Sequence, residues 1–253
     1  MNTMTTVMIV FASVFGSALM GMFLRARLPD HHLSAETRDV VKLAMGLIAT
    51  MAALVLGLLI ASAKGTYDTQ KSNVIQMSAK IAFLDRMLAL YGPEAAAPRE
   101  SLRSTIEQMV ARMWPDNQAR RVELDPSATS GSALYEAIQK LAPQSDEQRS
   151  IKAQILTTAT DIGQTRWLLF QQSGTSLSLL MLIILVFWLA IIFLSFGLFA
   201  PTNGTAMVAL LVAALSVSCA ILLIMELDRP FGSLISIPSE PMRNALAHLG
   251  QKL

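Results

Sequence analysis

Glu226-Leu-Asp228-Arg229-Pro230-Phe231 is the densest group of ionisable side chains at the edge of an apolar stretch in this chain. Two carboxylates and one guanidinium so placed could pair, hold an ion, or gate a pathway. They stand where an uncharged run, Gly204 to Met225, ends. Charge at that depth in a bilayer is costly unless it is paired or wetted. The plainer reading is an interfacial anchor, with Pro230 and Phe231 turning the chain along the membrane surface. The sharper one is a gate, with Lys64 or a neighbouring subunit supplying the counter-charge.

Other chemistry-bearing residues offer less. The three histidines are His31, His32 and His248. A zinc site needs three or four convergent ligands. His31-His32, with Asp30, Glu36 and Asp39 nearby, therefore reads as a solvated loop, and no metal or cofactor is expected. The single cysteine, Cys219, lies inside an apolar run. It excludes an internal disulfide and a thiolate cluster, and reads as a small buried hydrophobe. No GxSxG, HExxH, phosphate loop or dinucleotide fingerprint occurs, so no catalytic residue is assigned and an enzyme is not expected.

The elements that must position these residues are membrane helices. Uncharged runs cover residues 4–24, 43–63, 179–200 and 204–225. About 20 apolar residues cross a ~30 Å hydrocarbon core as a helix. The chain is 53% hydrophobic, with a mean hydropathy of +0.49, too apolar for an ordinary soluble domain. A net charge of +2 gives no basic face for nucleic acid. The expected fold is all-α: an integral membrane protein with four transmembrane helices. A helical, stalk-like extramembrane domain separates helices two and three. The expected divisions are 1–63 (helices at about 4–24 and 41–63), 64–175 (extramembrane), 176–227 (transmembrane hairpin) and 228–253 (an interfacial turn and short amphipathic helix).

Local signals mark the helix ends. Leu28-Pro29-Asp30 breaks the first helix, and Ser34 caps the next in a variant capping box with Thr37. From Lys64 to Tyr91 no proline interrupts, so the second helix continues out of the membrane until Gly92-Pro93. Shorter helices follow at about 98–113 and 132–141, and Ser145 caps a long return helix. Val74, Met77, Ile81, Leu84 and Leu88 recur at heptad-like spacing. Ile151, Ile155, Thr158, Ile162, Thr165 and Leu169 do the same on the return, which predicts a packed seam. Pro201-Thr-Asn-Gly204 is a tight turn between the last two membrane helices.

Gly46, Thr50, Ala53 and Gly57 form a small-residue stripe on one helical face. Such a stripe is either a helix-packing seam, the commoner use, or the lining of a narrow pore. Gly16, Ala18 and Gly21 offer similar close contact on the first helix. No charged residue lies deep in any run, which disfavours an ion-coupled carrier and leaves a passive pore. The basic residues flanking the helices are nearly balanced on the two sides. Arg25 and Arg27, after an uncharged first helix, favour a cytoplasmic 25–42 loop.

Residues 28–64, LPDHHLSAETRDVVKLAMGLIATMAALVLGLLIASAK, and 225–237, MELDRPFGSLISI, are similar to the bacterial bestrophin-like (DUF4239) family of membrane proteins. The resemblance spans nearly the whole chain, with the same helix order. It places weight on Thr37, Arg38 and Asp39, on Gly57 and Lys64, and on Asp228, Arg229, Pro230 and Phe231. It implies a distant relation to oligomeric anion channels, and a bacterial cytoplasmic-membrane location. The expectation is a lipid-embedded homo-oligomer acting as a passive anion channel. Its candidate pathway or gate residues are Gly46, Thr50, Gly57, Lys64, Glu226, Asp228, Arg229 and Phe231. The alternative is a structural or sensory scaffold whose helical stalk binds a protein partner that is lost when Ile81 and Leu84 become charged.

Overall fold

A computed structural model describes residues 3–29, 34–115, 130–172, 179–201, 203–228, 230–231 and 234–250. The described residues form helices joined by turns, with no strand among them. In chain order the α-helices are α1 (Thr3–Arg25), α2 (Ala35–Tyr91), α3 (Ala96–Met113), α4 (Ser130–Gln139), α5 (Asp146–Gln172), α6 (Leu179–Phe199), α7 (Gly204–Leu227) and α8 (Glu240–His248). Four of them, α1, α2, α6 and α7, are long and apolar enough to cross a membrane.

The capping signals act as the sequence suggests. The Thr37 amide donates to Ser34 Oγ at 3.3 Å, and the Gln148 amide to Ser145 Oγ at 3.1 Å. The Ala206 amide donates to Asn203 Oδ1 at 2.9 Å, which opens α7. Each side-chain oxygen satisfies an amide that has no partner within the helix. With no proline between Ala35 and Tyr91, α2 runs 57 residues before Gly92, whose φ of 123° only glycine holds comfortably, ends it.

The chain divides into two compact units: residues 1–65 with 176–228, and residues 66–175 with 229–253. In the first, α1 packs on α6 and α7. The contact is made by glycine. A Cβ on Gly21 would strike the Leu194 carbonyl, and one on Gly197 would strike the Ala18 carbonyl. Gly16, by contrast, faces open space. Arg25 donates to the Ala200 carbonyl, placing a cation on the carbonyl end of α6, where the helix dipole favours it.

Much apolar surface of this unit points outward, including Leu43, Leu47, Leu54 and Leu58 of α2. In water that would be a liability; in lipid it is the expected state. Cys219 follows the same logic. It is exposed on α7 rather than buried, because hydropathy cannot distinguish a face turned to lipid from one turned to protein.

The second unit is organised like a soluble protein. Val74, Met77, Ile81, Leu84 and Leu88 are all fully buried. They share one core with Leu102 and Ile106 of α3, Ile138 of α4, Ile155 and Leu169 of α5, and Met242 of α8. The return seam is looser: Ile155 and Leu169 are buried, whereas Ile151 and Ile162 are only half-buried. Polar contacts fix the α2–α5 register, with Gln70 Nε2 donating to the Gln172 carbonyl at 2.9 Å and Lys80 pairing with Asp161 at 3.1 Å. The Lys80 and Asp161 side chains are partly solvated, so the pair adds only modest stability.

Candidate functional site

The stripe on α2 is the first candidate. Gly46, Thr50, Ala53 and Gly57 are all exposed on one face. A Cβ at Gly46 or Gly57 would meet nothing within 4 Å. Within one chain, therefore, the stripe is not a packing seam, and that role falls to Gly21 and Gly197. The Thr50 hydroxyl turns back onto its own helix, contacting the Leu47 carbonyl at 2.7 Å and the Gly46 carbonyl at 3.1 Å. The face consequently presents Cα hydrogens and methyl groups rather than free hydroxyls. Lys64 is exposed, two heptad turns of spacing from Thr50, on the same side of the helix.

Thr37, Arg38 and Asp39 occupy the first turns of α2. The Arg38 guanidinium carbon lies 5.7 Å from the centroid of the Phe199 ring, at the end of α6. Asp39 and Lys42 approach at 3.8 Å as an exposed pair. Behind them, α2, α6 and α7 border an open cavity of about 460 Å³. Lys42, Met45, Gly46 and Ala49 line it from α2, and Ser195, Phe196 and Phe199 from α6. Ala206 and Leu210 close it from α7.

The acidic end of α7 is buried, not solvated. Glu226 is 6% exposed and Asp228 3%, and both carry interactions within the chain. Arg229 lies outside the described residues, as do His31 and His32. Pro230 and Phe231 belong to the second unit. There the Phe231 ring stands edge-on to Trp114 at 5.9 Å. The Ile237 amide donates to the Pro230 carbonyl at 2.9 Å, and Trp114 Nε1 donates to the Ile237 carbonyl at 2.8 Å. Phe231 is thus one wall of a folded corner. Sequence patterning did not single out Trp114, Phe199 or the cavity; an Arg and a Lys four positions apart at a membrane edge are the signal that marks the cavity mouth.

Among the described residues no cluster of His, Cys, Asp and Glu could hold a metal ion. What these elements define is a membrane protein of four spanning helices with a folded helical unit outside the spans. The family model for the bestrophin-like domain matches residues 10–242, and the chain belongs to that family. Two crystal structures of a bacterial bestrophin homologue from Klebsiella pneumoniae, each with a single substitution, share the fold. One is 14% identical, covers 97% of this chain and 100% of its own, and superposes with a TM-score of 0.66. The other is 15% identical, covers 94% and 98%, and gives 0.61. No curated protein matches the chain.

Proposed function

We propose that this protein is one subunit of a homo-oligomeric passive anion channel in a bacterial cytoplasmic membrane, within the DUF4239 group of the bestrophin-like family. The observation that carries the reading is the outward stripe Gly46, Thr50, Ala53 and Gly57, which packs on nothing in its own chain. One stripe encloses no path, but copies arranged around an axis turn several stripes into a narrow lumen. With the Thr50 hydroxyls folded back, the lumen is an apolar constriction of the kind that gates by dewetting. The exposed Lys64 extends the same face, and a ring of lysines at the end of such a lumen favours anions. Glu226 and Asp228, buried at the end of α7, hold the helix end in place under this reading.

The scaffold alternative has no docking surface at the Ile81–Leu84 seam. Ile81 and Leu84 are fully buried in their own unit's core, so the seam is occupied, and charging it would unfold the unit.

The test is halide and cation flux through liposomes carrying the purified chain, its Thr50→Trp and Gly57→Leu variants, and Arg229→Ala. Both stripe positions are open, so these variants are expected to assemble normally. Anion-selective flux in the parent should fall about tenfold or more when a ring of indoles narrows the path, equivalent to ~1.4 kcal/mol or more of added barrier. Equal flux in parent and both stripe variants, with oligomers intact, overturns the reading. A change in Arg229→Ala would extend the pathway to the α7 corner.

A further inference from the structure

We propose that the cavity between α2, α6 and α7 binds an anionic phospholipid, one acyl chain lying in the cavity and the phosphate resting against Arg38 and Lys42. The site shares Gly46 with the α2 stripe but does not require the channel reading.

The cavity has the two-part chemistry of an amphiphile site. Its walls are almost wholly apolar, built by Met45, Ala49, Phe196 and Phe199, while Lys42 stands at one end. From Lys42 to Ala49 the helix advances about 10 Å, at ~1.5 Å per residue, toward the membrane interior. The volume of about 460 Å³ falls within the usual ~300–1,000 Å³ range of ligand sites. It exists because Gly46 and Ala49 withhold side-chain bulk; a Cβ at Gly46 meets nothing within 4 Å.

The mouth is cationic, and one of its donors is unused. Arg38 Nε is buried and, among the described residues, has no hydrogen-bond acceptor. A buried donor without a partner costs roughly 1–3 kcal/mol, and more when it is charged. A phosphate oxygen satisfies it, and a guanidinium suits phosphate geometry. The guanidinium is already steered by Phe199, a cavity wall, at 5.7 Å. Arg25, held by the Ala200 carbonyl, adds positive charge to the same end. Two acids oppose this: Glu36, exposed on the first turn of α2, and Asp39, 3.8 Å from Lys42. Both are solvated, and the Asp39–Lys42 pair is about 70% exposed on each side, so it yields easily to a phosphate. A soluble anion would gain nothing from the phenylalanine walls, and a zwitterionic phosphatidylcholine, though it offers a phosphate, would bring its quaternary ammonium against Arg25, Arg38 and Lys42.

The experiment reconstitutes the full chain in nanodiscs holding equal phosphatidylglycerol and phosphatidylcholine, strips loose lipid, and counts retained lipid by native mass spectrometry. Phosphatidylglycerol should be retained about tenfold over phosphatidylcholine, because both present a phosphate but only choline sets a cation against the basic mouth; tenfold is ~1.4 kcal/mol. Arg38→Gln with Lys42→Gln should erase the preference. Ala49→Trp, which fills the cavity and leaves the cations in place, should lower retention of both lipids, and it decides the matter if the charge variant fails to assemble. Equal retention of the two lipids by the parent overturns the proposal, as does retention unchanged in Ala49→Trp. Displacement of phosphatidylglycerol by millimolar inorganic phosphate would also overturn it, by assigning the site to a soluble anion. None of these readouts depends on flux, so a silent channel leaves the lipid result intact.

Discussion

Gly197 of α6 meets the carbonyl of Ala18 on α1 so closely that no Cβ fits between them, and Gly21 meets Leu194 in the reciprocal way. Both contacts mark one crossing point, and because Arg25 at the C-terminal end of α1 reaches the Ala200 carbonyl at the C-terminal end of α6, the two spans run parallel. Backbone lies directly on backbone here, which permits Cα–H···O contacts and dense packing in a medium where the hydrophobic effect gives helices no reason to associate.

Gly197→Val should therefore force the spans apart and lower the stability of the membrane unit by roughly 1–3 kcal/mol, the usual range for overpacking. Gly57→Ala places its methyl in open space and should leave stability unchanged or raise it by up to ~1 kcal/mol through helix propensity. Denaturant titration in detergent, followed by circular dichroism, distinguishes the two. Similar losses at both positions would mean that the α2 stripe is also closely packed.

That contrast shows what a sequence can and cannot specify. The seam from Val74 to Leu88 was readable because each apolar residue reports its own burial through the helical period. All five positions are buried in the core. The two glycine sets, at 21 and 197 and at 46 and 57, look alike in sequence. A missing side chain serves close contact and open space equally, and only the neighbouring helix decides. Cys219 eluded the pattern for a related reason, since an apolar run is compatible with lipid or protein on any side. The cavity at Phe199 and Arg38 needs three helices from separate stretches to converge, which no local spacing records.

Asp85 and Arg99 form the best-made ion pair of the second unit. Arg99 Nε and Nη2 donate to the two carboxylate oxygens, each at 2.9 Å. The same carboxylate accepts the Gly250 amide at 3.3 Å, so it ties α2 to α3 and to the end of α8. The carboxylate raises the Arg99 pKa above its already high ordinary value, chiefly through the hydrogen bond. Arginine's share of the pair is thus present at every pH below the ordinary arginine range and is lost only beyond it. Asp85→Ala should cost roughly 2–3 kcal/mol, because it strands a half-buried guanidinium. It should also free the last turn of α8 for carboxypeptidase digestion. A variant as stable and as protease-resistant as the parent would show that the clamp is dispensable.

Tyr91 gives the second unit a specific alkaline weakness. Its ring is packed in the core beside Leu88, and its hydroxyl is buried without a hydrogen-bond partner among the described residues. Burial raises its pKa above the ordinary 10.0, and nearby Glu94 pushes it the same way. The folded state therefore keeps a proton that the unfolded chain releases. With the folded pKa raised, this contribution to stability is fully present below pH 10 and is lost as pH rises from there toward the folded value. Urea midpoints should fall between pH 9 and pH 11 by more in the parent than in Tyr91→Phe. At pH 7.5 the phenylalanine variant should be equal to the parent or more stable, because it removes a buried polar atom that satisfies nothing. Alkaline loss of the same size in both proteins would assign the weakness to other groups, and a less stable Tyr91→Phe at pH 7.5 would mean that the hydroxyl has a partner after all.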